Sequence, residues 1–170
     1  MNDQPLIDIR DVSFSYAGPP VLEHVDMQVH AGEFLGIVGP NAGGKSTLLK
    51  LVLGLLEADA GQVRVLGSKP SDACRSLGYV PQYPSFPRDF PISVEQVVQL
   101  GRINTRAPAG WRGMLWPSRL SRADRLAART ALTEVEADDL AQRQIASLSG
   151  GQLQRVLLAR ALVSEPQILI

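Results

Sequence analysis

The stretch that most constrains this chain runs from Phe34 to Leu56. Phe34-Leu35-Gly36-Ile37-Val38 is an apolar run with the length of a buried strand. Gly39-Pro40-Asn41-Ala42-Gly43-Gly44-Lys45-Ser46-Thr47 follows, and it satisfies every fixed position of the pattern G-x-x-x-x-G-K-[ST]. Leu48, Leu49, Leu51, Val52, Leu53, Leu55 and Leu56 come next without a proline, which predicts a helix buried on most sides. Strand, glycine-rich turn and helix in that order is the context that gives the pattern meaning.

Glycines let the backbone curl until successive N–H groups converge on one point, and the helix start adds its positive dipole end. Lys45 supplies a point charge for terminal phosphates, Ser46 a hydroxyl placed for Mg²⁺, and Thr47 a further donor. A plain strand-to-helix turn needs a glycine or two, but no lysine–serine pair at fixed offsets. The loop therefore implies a nucleoside triphosphate and leaves the reaction open.

At 170 residues the chain is long enough for one domain with a core and a small subdomain. Its 17 basic and 17 acidic residues balance, which gives no electrostatic grip on nucleic acid. Cys74 is the single cysteine, so an internal disulfide is excluded, and a reducing compartment suits it. No basic-then-apolar leader opens the sequence, and no apolar run approaches the ~20 residues of a membrane span, so the chain is expected to be soluble.

Leu6 to Phe14 and Val21 to Val29 alternate as half-exposed strands around the turn Ala17-Gly18-Pro19-Pro20, predicting an antiparallel layer beside a parallel core. Tyr16, just before that turn, fits either an edge-strand aromatic over the core or a ring stacked on a purine. Gln62 to Leu66 and Ser76 to Val80 read as further strands. Pro81, Pro84, Pro87 and Pro91 then break any regular element. Ser93-Val94-Glu95-Gln96 has the form of a capping box opening a helix with Val97, Val98 and Leu100 inside. From Gly101 to Ser121 no period is visible; Trp111 and Trp116 there suit core plugs and partner contacts equally. Ser121 caps a helix predicted from Arg122 to Glu134, and Asp138-Asp139-Leu140 gives a short helical turn.

Leu148-Ser149-Gly150-Gly151-Gln152-Leu153-Gln154-Arg155 is the second informative stretch. Ser149 caps a helix, Gly150 and Gly151 bare its first N–H groups, and Leu153, Val156, Leu157 and Ala161 form an inward face. Such a start is a second anion site or simply a well-capped helix; the stretch alone does not choose.

Taken together, GPNAGGKST, Gln82 within Tyr79-Val80-Pro81-Gln82, and LSGGQLQR resemble, in order and spacing, the Walker A, Q-loop and signature motifs of ABC-type ATPases. The resemblance covers nearly all of the chain, and the signature motif carries more weight than the loop, since other phosphate-loop classes lack it. It implies an α/β P-loop NTPase (RecA-like) core with an antiparallel β layer and an inserted α-helical subdomain, in a single ABC-type ATP-binding domain. Residues 1–82 and 164–170 would form the core and 83–163 the helical subdomain with the signature motif. The resemblance also implies ATP and Mg²⁺ as cofactors. Tyr16 would stack on adenine, and Gly39, Pro40, Asn41, Ala42, Gly43, Gly44, Lys45, Ser46 and Thr47 would hold the phosphates. Ser46 and Gln82 would meet Mg²⁺, with Gln82 also near the attacking water. Ser149, Gly150, Gly151 and Gln152 would reach the nucleotide held by a second copy in a head-to-tail dimer.

Two departures stand out. Ala42 occupies a position where the family commonly has glycine; if that position needs positive φ, alanine costs on the order of 1 kcal/mol there. Ile168-Leu169-Ile170 resembles the beginning of the Walker B strand, and the chain ends before its aspartate and the glutamate after it. His24 and His30 both precede the loop and do not match the family's later switch histidine. The expectation is a C-terminally incomplete fragment, with an incomplete sheet edge, that binds nucleotide without turning it over appreciably on its own.

The segment from Tyr79 to Arg102, including Asp89-Phe90-Pro91-Ile92, is similar to the ATPases of bacterial manganese and zinc uptake systems, and shares much with those of iron-siderophore and haem importers. This implies transmembrane permease subunits, an extracytoplasmic solute-binding protein, and a peripheral place on the cytoplasmic face of the cell membrane. No metal-ligand spacing appears among His24, His30 and Cys74. Two other readings are a soluble ABC-type ATPase, which predicts a basic face, and a non-catalytic nucleotide-binding module.

Overall fold

The computed structural model describes residues 4–82, 91–103 and 121–170. Pro84, Pro87, the Asp89-Phe90 pair, Trp111 and Trp116 lie outside them. The chain divides into two compact units, Met1–Cys74 and Arg75–Ile170.

The first unit is built on a three-stranded antiparallel sheet in the order β2-β1-β3, with β1 at Ile7–Ser15, β2 at Pro20–Val29 and β3 at Ala60–Val65. Ile7 faces Val29 and Val65, and Ile9 faces Met27 and Val63. Along β1 the buried apolar residues are Ile7, Ile9, Val12 and Phe14. Strict alternation would turn Val12 and Phe14 to the other face from Ile7 and Ile9. An irregularity at Asp11, whose φ is 50°, absorbs the extra residue and returns both pairs to one side. His24 opposite it on β2 also sits at positive φ, and its Nδ1 lies 2.6 Å from the Asp11 carboxylate. Gly61 completes the kink: at φ 81°, a Cβ there would stand 2.2 Å from the Asp11 carbonyl oxygen, so only glycine fits.

Helix α1, Lys45–Val52, follows the loop, with Thr47, Leu48, Leu51 and Val52 buried. The apolar pattern predicts a longer helix, but Gly54 adopts φ 71° and ends it, and Leu55 is exposed. A short helix α2, Pro70–Ala73, went unread; its signal is Pro70 at the first helical position.

The expectation that Phe34–Val38 forms a buried strand is corrected. The segment is in no strand, and Phe34, Leu35 and Val38 are 101%, 51% and 92% exposed. An unbroken apolar run records a preference for neighbours on both edges and both faces. Among the described residues no strand is paired with it.

The second unit packs helices α3 (Val94–Leu100), α4 (Arg122–Glu134) and α5 (Gly150–Leu162) around Val94, Val97, Val98, Ala128, Leu132, Val156 and Ala159. Each begins at a serine with a reciprocal capping box: Ser93 with Gln96, Ser121 with Asp124, Ser149 with Gln152. β4 (Leu77–Gly78) and β5 (Ile168–Leu169) pair in parallel, and Val80 N–H extends the ladder to the Ile170 carbonyl at 2.8 Å. Among the described residues no helix is long and apolar enough to cross a membrane.

Candidate functional site

The loop in the first unit closes on itself before it opens toward solvent. Gly43 N–H donates to the Pro40 carbonyl at 3.2 Å. Gly44 is the N-cap of α1 at φ 78° and gives no side-chain cap bond. A Cβ on Gly44 would lie 2.7 Å from Leu22 Cδ2 and 2.9 Å from the Val21 carbonyl oxygen, so β2 fixes the loop from behind. Ala42 does occupy the left-handed region, at φ 63°. The condition set at the sequence level is met, and the strain of about 1 kcal/mol falls on this loop.

Leu48 N–H, bonded to the Gly44 carbonyl at 2.9 Å, is the first in α1 to find a backbone acceptor among the described residues. The N–H groups of Lys45, Ser46 and Thr47 precede it at the positive end of the helix. Lys45 Nζ folds over the loop and donates to the carbonyls of Gly39 at 2.8 Å and Pro40 at 2.5 Å. Ser46 is exposed and Thr47 buried, with Thr47 Oγ1 3.4 Å from the Tyr16 hydroxyl. Tyr16 stands edge-on to Phe14, ring centroids 4.8 Å apart, and remains 53% exposed. The fold thus brings Tyr16 beside Thr47 while leaving part of its ring open.

The second unit presents its glycine-rich helix start differently. Ser149 Oγ accepts from Gln152 N–H at 3.4 Å, and Gln152 Oε1 accepts from Ser149 N–H at 3.0 Å. Ser149, Gly150 and Gly151 are exposed, and a Cβ on either glycine would meet nothing within 4 Å. No contact among the described residues requires glycine at these positions. Gln82 lies exposed in a bend after Pro81.

The first turns of the α-helices divide by charge. α2, α3 and α4 carry Asp72, Glu95 and Asp124 there, as the macrodipole favours. α1 and α5 carry no acid in the first turn. Among the α-helices of the described residues, the two glycine-rich starts are therefore the ones left without a carboxylate of their own, an arrangement suited to an external anion.

Among the described residues the shifted titrations belong to the sheet of the first unit: Asp8, its partner Arg10, and His24. Hydrogen bonds from Arg10 and Gln28 hold Asp8 below the usual carboxylate range, so its contribution to stability is lost as pH falls through that lowered value. The hydrogen bond to Asp11 raises His24, whose contribution is present below about pH 6.5 and lost as pH rises through the raised value. Among the described residues, no group of three or more His, Cys, Asp or Glu is placed to hold a metal ion.

The chain has the phosphate-loop NTPase fold of the ATP-binding cassettes it matches in structure, one of them with TM-score 0.79 over 98% of this chain. A family model described as ABC transporter matches residues 22–170, and the chain belongs to that family. It is 43% identical over 162 residues to the manganese transport system ATP-binding protein MntB of Bacillus subtilis, covering 95% of this chain and 62% of that protein. It is 40% identical over 166 residues to the high-affinity zinc uptake system ATP-binding protein ZnuC of the same organism, covering 97% and 68%. Among solved structures, a metal-chelate type ABC transporter in an inward-facing conformation matches with TM-score 0.78 and 32% identity, over 97% of this chain and 57% of that one. The chain spans about two thirds of the length of the curated relatives it matches.

Proposed function

We propose that this chain is the ATP-binding, ATP-hydrolysing part of an ABC transporter that energises uptake of a metal ion, manganese or zinc, across the bacterial cytoplasmic membrane. The observation that carries it is the pair of glycine-rich helix starts, each with first-turn N–H groups that meet no backbone acceptor among the described residues and no acid in its first turn. Gly39 to Thr47 wrap the phosphates, Lys45 exchanges its two carbonyl partners for phosphate oxygens, and Tyr16 offers its open ring to the base.

Ser46 and Gln82 are each exposed, and each offers an oxygen donor of the kind Mg²⁺ takes. When bound, the ion neutralises charge on the phosphates. Ser149, Gly150, Gly151 and Gln152 serve the nucleotide of a second copy, which accounts for two glycines that nothing among the described residues requires. In this reading residues 1–82 and 164–170 form the nucleotide-binding core, and 83–163 the signature-bearing subdomain. Permease subunits and an extracytoplasmic solute-binding protein complete the system, and the chain works as a peripheral protein on the cytoplasmic face. Metal cargo is supported by the relatives, whose names specify manganese and zinc transport.

The test is titration of the chain with a fluorescent ATP analogue, alongside sedimentation with ATP and Mg²⁺. Saturable binding abolished by Lys45→Ala, with ATP-dependent pairing abolished by Ser149→Arg, is expected. Binding indifferent to Lys45, or no pairing, overturns the nucleotide or the dimer half of the reading. Co-purification with a manganese or zinc permease, and not with a siderophore permease, checks the cargo.

A further inference from the structure

Glu95 is a buried acid that the nucleotide reading does not use. It sits in the first turn of α3, 6% exposed. Its Oε1 accepts from Gln99 Nε2 at 3.3 Å and faces Arg125 Nε at 3.3 Å and Arg129 Nε at 3.7 Å on α4. Its Oε2 accepts from Gln142 Nε2 at 2.7 Å. One carboxylate thus joins α3 to the Gln142 amide, with two largely exposed arginines of α4 at its rim.

The backbone repeats the tie. Glu95 N–H donates to the Ala141 carbonyl at 2.9 Å and Val94 N–H to the Arg143 carbonyl at 2.9 Å. Ile145 N–H donates to the Ile92 carbonyl at 3.1 Å, and Ser93 and Gln144 form an antiparallel bridge. The first N–H groups of α3 are therefore spent on residues 141–143 rather than on water. From Ile145 a single 3-10 turn, Ile145–Ser147, leads to Leu148 and the Ser149 cap of α5. With so short a connection, the place of the α5 start follows the place of residues 141–145.

We propose that Glu95 is a positioning residue: its carboxylate fixes the strap of residues 141–145 and so aims the Ser149–Gln152 helix start at the nucleotide of the second copy. The role rests on the dimer reading above, but its structural half is measurable without nucleotide.

The experiment compares the chain with Glu95→Gln by amide hydrogen exchange and by ATP-driven pairing. Exchange at Ile145, Gln152 and Leu153 is expected to speed by about tenfold or more, with α4 protection kept. Pairing is expected to weaken by a similar factor, while the affinity of a single copy for the ATP analogue stays unchanged. Gln142→Ala, at an exposed position, is expected to reproduce the effect in smaller measure and covers the case in which Glu95→Gln fails to fold. Unchanged exchange at those amides in both variants, or an equal loss across α4, overturns the inference. Pairing that withstands Ser149→Arg overturns the dimer reading instead, and the two failures are thereby told apart.

Discussion

The two glycine-rich helix starts look alike in sequence and differ in what their glycines do. At α1, Gly44 is required from within: its φ is 78° and β2 leaves no space for a Cβ. At α5, Gly150 and Gly151 sit in open space behind a complete serine–glutamine cap. One start uses its glycines to shape its own loop; the other holds its shape by capping and keeps its glycines facing outward. A glycine motif can thus be architectural in one place and carry no packing role in another, and the surroundings of a missing Cβ separate the two.

The comparison breaks most readily at Gly44. Gly44→Ala should destabilise the chain by about 2–4 kcal/mol in denaturant unfolding, since the new methyl meets Val21 backbone at an unfavourable φ. An unaffected midpoint would remove the architectural half. Lys45→Ala comes next: affinity for the ATP analogue should fall ~10–100-fold, the worth of a charge-assisted contact, with stability little changed. Ala42→Gly should relieve the left-handed alanine and stabilise by about 1 kcal/mol, read as a higher melting temperature. Gly151→Ala is the smallest in stability and sharpens the contrast. It should stabilise α5 by about 0.5 kcal/mol and leave single-copy nucleotide affinity alone. Under the proposed head-to-tail pairing it should also weaken ATP-driven association; intact pairing would argue that these glycines face nothing.

Much of the fold was legible because its signals are local. The capping box at Ser93, the serine cap at Ser149 and the span Arg122–Glu134 stand where side-chain pattern places them. So do the strands β1 and β2, from alternation alone. What escaped reading depends on partners far along the chain. The apolar run Phe34–Val38 says nothing about whether a strand is present to pair with it. The irregularity at Asp11 shows only when Ile9 and Val12 are known to share a face. Glu95 looks like an ordinary first-turn acid until Gln142 and Arg125 are found around it. At the site itself, the loop and the α5 cap were readable, and the approach of Tyr16 to Thr47 was not.

The bare run ahead of the loop has a consequence for how a ligand would be held. Among the described residues nothing forms ladder bonds with Phe34 to Val38, which expose most of their side chains, so Gly39 hangs from a stem without rungs. Amides there should deuterate early, well before those of Leu51 or Val52. Seating a triphosphate would then quieten the stem along with the loop, so that some of the attraction goes into restraining the chain rather than into residence time.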